Sequence, residues 1–210
     1  GKTWEKLKTG LPAGSLGKIG LAISPQNPDV IYAAIETQLK KGGFYRSADR
    51  GMSWTKQSNQ ISGGTGPHYY QEIWASPHHF DRVYFANNYF KVTNDGGKTF
   101  KSVGKAYKHV DNHAVAFKAN DPDYLMVGTD GGLYESFDLA KTWRHMGNLP
   151  ITQFYKLAVD DAKPFYHIYG GTQDNNTQQA NKPIIIFPSQ QANNHEACDC
   201  QRGWRQGPSL

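Results

Sequence analysis

The sequence predicts an all-β fold of short strands and tight turns, and three observations favour it. Aromatic residues make up 13% of the 210 residues and 22 residues are glycine, a composition typical of many strands joined by turns. Apolar runs such as residues 30–35 follow strong turn sequences such as residues 24–29. The third observation is an eight-residue motif that occurs three times and organises the rest of the chain.

This motif has the pattern S/T-x-D-x-G-x-x-W/F, and we call each copy an octet. The Asp-x-Gly core predicts a hairpin turn, because aspartate accepts hydrogen bonds from nearby backbone and glycine adopts positive φ without strain. The hydroxyl adds a local backbone bond, and the closing aromatic fills a space between sheets. Ala140 replaces the glycine in the third octet. The other motif residues, which we expect to be structural, are Ser47, Asp49, Gly51, Trp54, Thr93, Asp95, Gly97, Phe100, Ser136, Asp138 and Trp143.

The spacing of the octets predicts a β-propeller. The closing aromatics Trp54, Phe100 and Trp143, with Trp4 in a partial copy at the start, are separated by 50, 46 and 43 residues. Repeats of about 40–50 residues made of short strands are typical of propeller blades, each a four-stranded sheet. Since a closed ring needs about four to eight blades, we expect a fragment of a longer protein whose remaining blades complete the ring.

We expect about three and a half blades, followed by an irregular insertion or tail without an octet. A continuous apolar run, such as the second strand of the first blade, is typical of a strand buried on both faces. The predicted blades are residues 17–58, 66–103, 109–146 and 152–177, and the tail is residues 178–210. The predicted strands, in order, are residues 19–23, 30–35, 44–46, 54–56, 69–74, 82–86, 90–92, 114–117, 124–127, 133–135, 154–159 and 165–169.

The octet resembles the Asp-box, or BNR repeat, of sialidases, xyloglucan-hydrolysing propellers and sortilin-type receptors. The likeness runs from residue 1 to about Thr177, and it is greatest to sortilin-type propellers and their bacterial relatives labelled glycosyl hydrolases. Residues 109–113, 128–134 and 169–175 carry this closer resemblance. The resemblance implies a protein that is secreted, periplasmic or on the cell surface. Enzymes and receptors share the repeat, so it does not decide the activity.

Charge and composition argue against several classes of partner. The net charge is +5, but the lysines are scattered as expected of solvated strand edges and turns, so we expect no nucleic acid partner. No apolar run reaches the roughly 18 residues of a membrane span. The two cysteines, Cys198 and Cys200, lie together in the predicted tail. We predict neither a cofactor nor a metal ion.

The candidate site residues lie at the entrances to inner strands. His109, Asp111 and His113 alternate along one segment, which predicts that they share a face. Two imidazoles and a carboxylate can bind a metal, or orient a histidine for proton transfer. Alternatively, these side chains only form hydrogen bonds with each other and with the loop at the mouth of the propeller. His68 has the matching position one blade earlier.

Further candidates follow the second strands of the last two blades. Asp130 lies in a glycine-rich loop, and Gln173, Asp174 and Asn175 follow a pair of glycines. Glycines beside an acid permit close approach of a ligand, and they also form turns. If the acids face the axis, Asp111 and Asp174 can act as a glycosidase pair, at roughly 6–10 Å if the reaction inverts the sugar.

Three functional hypotheses follow from these residues. The first is a ligand-binding propeller domain that recognises a peptide or a glycan at the propeller face, with His68, His109, His113, Asp130, Gln173 and Asn175 as ligand-binding residues. The second is a glycoside hydrolase that acts on a polysaccharide through Asp111 and Asp174. The third is a scaffold whose ring spaces other modules.

Overall fold

The structure is a computed structural model that describes residues 1–38, 42–62, 66, 69–104, 108–149, 153–172 and 177–180. Within these ranges the regular structure is almost entirely β, as predicted. The chain divides into two units, residues 1–149 and 150–210, and each is described by itself.

In its described residues, the first unit contains three four-stranded antiparallel sheets, in which strands pair in chain order. We call them blades 1, 2 and 3. Blade 1 has β1 (Leu16–Ile23), β2 (Ile31–Thr37), β3 (Gly43–Ser47) and β4 (Thr55–Ser58). Blade 2 has β5 (Ile73–Ala75), β6 (Val83–Phe85), β7 (Lys91–Thr93) and β8 (Lys101–Ser102). Blade 3 has β9 (Asn112–Lys118), β10 (Asp121–Thr129), β11 (Gly132–Ser136) and β12 (Arg144–His145).

The second unit contains a three-stranded antiparallel sheet in its described residues. Its strands are β13 (Phe154–Val159), β14 (Ile168–Thr172) and β15 (Thr177–Ala180). The last strand pairs with β14 from Gly171↔Thr177 to Ile168↔Ala180. The sheet of the second unit therefore extends to Ala180.

Each octet forms the connection between the third and fourth strands of a blade and carries the same hydrogen bonds. In the second octet, Thr93 Oγ1 donates to Asp95 Oδ1 at 2.7 Å and accepts a bond from Gly97 N at 2.9 Å. Thr99 donates to Asp95 through its backbone N at 3.0 Å and its Oγ1 at 2.6 Å. Equivalent bonds surround Asp49 and Asp138. The side-chain and backbone hydrogen bonds of Ser53, with that of Ser47, lower the pKa of Asp49 to about 2.

The third octet keeps this turn although alanine replaces glycine. Leu139 and Ala140 have φ of 59° and 69°, in the left-handed region that Gly96 and Gly97 occupy in the second octet. Ala140 N still donates to Ser136 Oγ at 2.9 Å. A side chain in this region costs about 1–2 kcal/mol, which the hydrogen bonds of the turn offset.

The closing aromatic of an octet packs against the preceding blade. The ring of Phe100, from blade 2, lies 5.1 Å from that of Phe44 in blade 1. The ring of Trp143, from blade 3, lies 6.0 Å from that of Phe90 in blade 2. Phe44 and Phe90 are almost completely buried, so these contacts lie in the cores between neighbouring sheets.

Two predicted strands were placed wrongly. Residues 69–74 were expected to be a strand, but β5 begins only at Ile73, because Gln71 has φ of 112° and turns the chain. The buried Oε1 of Gln71 accepts a hydrogen bond from Ser62 N at 2.8 Å.

Residues 165–169 were also expected to be a strand. There Asp160 Oδ1 accepts a bond from His167 N at 2.8 Å and extends the turn, so β14 begins at Ile168.

Among the described residues, none forms a helix of the length and apolar character needed to cross a bilayer.

Candidate functional site

Antiparallel pairing places two kinds of connection at opposite edges of each blade. One edge carries the octets and the turns between first and second strands, and we call it the octet edge. The other carries the segments that enter the first strands and the loops between second and third strands, and we call it the cluster edge. The predicted residues His109, Asp111, His113 and Asp130 all lie at the cluster edge of blade 3.

Asp111 joins blade 3 to blade 2. Its Oδ1 accepts hydrogen bonds from Tyr70 OH and from Asn88 Nδ2, both at 2.7 Å. Its backbone N donates to Asn88 O at 2.8 Å. Asp111 has φ of 59°, a conformation that aspartate tolerates better than most residues. The carboxylate is therefore fixed by contacts with the preceding blade.

His113 is held by an acid and by two aromatic rings. Its Nε2 lies 2.9 Å from Asp130 Oδ1. Its ring stacks on that of Tyr70, with centroids 5.4 Å apart, and meets the edge of the Tyr69 ring at 5.8 Å. Asp130 N also donates to Asp111 O at 3.2 Å. We call Tyr69, Tyr70, Asn88, Asp111, His113 and Asp130 the Tyr–His–Asp cluster.

The two tyrosines of the cluster differ in exposure and therefore in role. Tyr70 is 2% exposed and Tyr69 is 53% exposed. Burial raises the pKa of Tyr70 far above its usual value, and the hydrogen bond and negative charge of Asp111 raise it further. Tyr70 thus remains a protonated donor that supports Asp111. Tyr69 is more than half exposed to solvent.

The strand alternation from which a shared face of His109, Asp111 and His113 was predicted does not extend over all three residues. The strand begins only at Asn112, and the positive φ of Asp111 interrupts the alternation. His109 Nδ1 lies 2.8 Å from Val110 O. Within the described part of the chain, no group of three or more His, Cys, Asp or Glu side chains is placed to hold a metal ion.

His109 nevertheless packs on the loop that carries Asp130. A Cβ added at Gly131 would lie 2.5 Å from His109 Cγ, so only glycine allows this approach. The glycine-rich loop of blade 3 is thus shaped by close packing of the imidazole.

Several predicted site residues lie outside the described residues. They are His68, Gln173, Asp174 and Asn175, together with Cys198 and Cys200 of the predicted tail. Asp174 also belongs to the second unit. The pairing of Asp111 with Asp174 therefore stays a prediction.

Lys108 is a residue of this edge whose role the sequence did not reveal. It was expected on the solvated surface, but it is 8% exposed. Its Nζ donates to His109 O at 2.9 Å and to Asn112 Oδ1, and Asn112 Nδ2 donates to Asn88 O at 2.9 Å. Burial lowers the pKa of Lys108 to about 8, although the charge of Asp111 opposes this shift. The ammonium lies 5.4–5.9 Å from the ring centroids of Phe90, Tyr134 and Trp143.

A second polar group that the sequence did not indicate lies at the cluster edge between blades 1 and 2. Lys18 Nζ lies 2.5 Å from Glu72 Oε1, and Lys18 N donates to Glu36 Oε2 at 3.1 Å. These residues border β1, β2 and β5. In the sequence, these residues look like any other surface charges. They are recognised as a group only when the assembled sheets bring them together at the ends of inner strands.

Comparisons with known proteins give the fold. No protein-family model matches the sequence, and no curated protein matches it significantly. Among solved structures, a GH74 enzyme from Niastella koreensis superposes with a TM-score of 0.50 at 16% identity, over 73% of this chain and 25% of that chain. The sheets are blades of a β-propeller. At this identity the likeness shows the fold alone, and the chain spans about a quarter of the length of that enzyme.

Other solved structures match with lower TM-scores. The GH74 xyloglucanase from Xanthomonas campestris gives 0.48 at 16% identity, over 77% of this chain and 28% of that chain. YCF48 from Cyanidioschyzon merolae gives 0.45 at 12% identity, over 73% of this chain and 51% of that chain.

Proposed function

We propose that this chain is a ligand-binding part of an Asp-box propeller outside the cytoplasm, and that it binds a peptide or a glycan at the cluster edge. The main observation that supports the proposal is the packing of the exposed Tyr69 ring against two fixed side chains. Its exposed ring rests against His113 and Tyr70, with centroids 5.8 and 5.1 Å away. An aromatic face beside fixed polar groups is a common element of binding sites for both ligand classes.

The cluster is held in place before any ligand arrives. Asp111 is fixed by Tyr70 and Asn88, and His113 is fixed by Asp130. Side chains locked by such bonds lose little conformational entropy when a ligand binds, which favours affinity. The imidazole, the carboxylates and the Tyr69 hydroxyl offer both donors and acceptors to the hydroxyl or amide groups of a ligand.

The same contacts favour binding over hydrolysis. A glycosidase needs one carboxylic acid that donates a proton to the leaving group. Asp111 accepts two hydrogen bonds on one oxygen, and Asp130 lies in contact with His113. Both carboxylates are thus placed as acceptors that support neighbouring side chains.

A binding screen of the full chain against immobilised glycans and peptides tests the proposal. For a ligand so identified, we expect Tyr69→Ala to weaken binding about tenfold, the usual scale for one aromatic anchor. Phe137→Ala is the matched control, because Phe137 is a similarly exposed aromatic residue, at 54%, on the octet edge. Its binding should equal that of the wild type.

Two outcomes would contradict the proposal. Equal losses in Tyr69→Ala and Phe137→Ala, or no ligand in either library, would remove the cluster edge as a binding site. Turnover of a glycan that Asp111→Asn or Asp174→Asn abolishes would instead support a glycoside hydrolase.

A further inference from the structure

A concave surface lies at the octet edge, between blades 1 and 2. It is an open groove of about 520 Å³, and Arg46, Gln57, Asp81 and Lys98 contribute to its lining. Asp49 and Asp95, from the first and second octets, also line it. Its volume falls within the range of small-molecule sites, roughly 300–1,000 Å³. We call it the octet groove.

The octet groove is preformed, because Asp81 binds both blades. Its Oδ1 accepts bonds from Tyr32 OH at 2.6 Å and Arg46 Nε at 3.1 Å, both from blade 1. Its backbone O accepts a bond from Gly96 N, in the second octet, at 3.0 Å. The walls of the groove are therefore held at a fixed separation without a ligand.

The groove contains donors that the fold leaves available. Arg46 donates from its Nε to Asp81, and its guanidinium also interacts with the Tyr32 hydroxyl, which leaves several of its five N–H groups for other acceptors. By contrast, Arg82, which reaches blade 3, uses all three nitrogens on Tyr84 OH, Asn94 Oδ1 and Leu139 O. The guanidinium of Arg46 is oriented by Asp81 and by the ring of Phe80, whose centroid is 5.8 Å from Cζ. An oriented guanidinium with N–H groups left for other acceptors is well suited to bind oxygen acceptors.

The charges of the groove indicate the kind of ligand. Arg46 and Lys98 are positive, whereas Asp49, Asp81 and Asp95 are negative, so the lining carries a formal charge of −1. This balance disfavours an anion. A cation finds Asp49 and Asp95 already occupied by donors from their own octets. A neutral ligand with many hydroxyl groups avoids both conflicts, since each hydroxyl both donates and accepts.

We propose that the octet groove binds a neutral saccharide. Its hydroxyls accept bonds from the Arg46 guanidinium and Lys98 Nζ and donate to the side-chain oxygen of Gln57. This site lies at the opposite edge from the Tyr–His–Asp cluster and does not depend on the function proposed for that cluster.

Titration of the isotope-labelled full chain followed by NMR tests the site. The probes are cellotriose and maltotriose as neutral saccharides, glucuronic acid as an anion and glucosamine as a cation. Each is added to about 20 mM, since open sites for small ligands bind in the millimolar range. We expect a neutral trisaccharide to shift the backbone amides of Gln57 and Lys98 in a saturable way.

Lys98→Ala should weaken this binding about threefold to tenfold, as expected for one hydrogen bond. Lys141→Ala is the matched control, because Lys141 holds the same position in the third octet and its backbone N makes the equivalent bond to Asp138. The proposal is overturned if neither neutral trisaccharide shifts these amides, if only the charged probes do, or if both variants lose affinity equally. Shifts confined to Tyr69 and His113 would overturn it too and would instead support the cluster edge.

Discussion

The two edges of the first unit use the same carboxylate chemistry over very different sequence distances. At the octet edge, Asp95 binds Thr93 and Thr99, two and four positions away. At the cluster edge, Asp111 binds Asn88 and Tyr70, 23 and 41 positions away. Octets are thus encoded by their own eight residues, whereas the cluster exists only when blades 2 and 3 are assembled. The octets can therefore be predicted from a sequence motif, whereas the contacts of the Tyr–His–Asp cluster cannot.

The largest effect that tests this contrast comes from the octet glycines. A Cβ at Gly97 would lie 2.0 Å from the buried Phe44 ring, whereas one at Gly51 meets nothing closer than 3.5 Å. Both have positive φ. We expect Gly97→Ala to lower the free energy of unfolding by about 3–5 kcal/mol, from overpacking and strain together, and Gly51→Ala by about 1–2 kcal/mol from strain alone.

Equilibrium unfolding in urea measures both variants. Equal losses would show that octet glycines serve only the turn and that packing on the preceding blade contributes nothing.

An intermediate effect separates the two kinds of carboxylate. Asp111→Ala leaves the buried Tyr70 hydroxyl without its acceptor, which should cost about 1–3 kcal/mol. Asp95→Ala exposes its donors to water and should cost about 1 kcal/mol. Hydrogen exchange should increase in both blades 2 and 3 for Asp111→Ala, but only within residues 93–99 for Asp95→Ala. Exchange that stays local in both variants would contradict the long-range role of Asp111.

The smallest effect concerns the buried lysine of the cluster edge. The pKa of Lys108 is about 8, below its ordinary 10.5, because burial disfavours the charged form. Between these values the unfolded chain binds more protons than the folded chain, so stability should rise with pH. From pH 8 to 9.5 the contribution is about 1–1.5 kcal/mol. This window ends below pH 10, where the raised pKa values of Tyr32 and Tyr70 begin to lower stability.

Denaturant unfolding of the wild type and Lys108→Met at several pH values measures this term. The rise should be smaller in Lys108→Met, where Lys91, whose pKa burial also lowers, still contributes, and it should be unchanged in Lys141→Met, whose lysine lies exposed in the third octet. A wild type without the rise would mean that the rings of Phe90, Tyr134 and Trp143 compensate for burial by binding the cation.

The sequence predicted the features that depend on neighbours in the chain. The octets have the predicted turn hydrogen bonds, and the all-β fold in successive sheets is confirmed. It also placed Asp111, His113 and Asp130 at strand ends, where the structure brings them together. The predicted alternation over residues 109–113 is interrupted by the positive φ of Asp111.

The features that the sequence did not indicate depend on contacts with residues far away in the chain. Nothing near Lys108 in the chain signals burial, because its cage comes from Phe90 in blade 2 and from Tyr134 and Trp143 in blade 3. The turn at Gln71 likewise depends on a distant contact, the hydrogen bond from Ser62 N to Gln71 Oε1. The residues around Gln71 have the composition of a strand, so the sequence did not indicate a turn there. Such contacts are products of assembly rather than of local pattern.

The rings of Phe100 and Trp143 are connected covalently to one sheet and packed against another. Melting of a single blade therefore exposes apolar surface on its neighbour, and each blade gains stability from the one before it. Such nearest-neighbour coupling makes the three blades of the first unit a cooperative series, in which the unfolding of one whole blade destabilises the next.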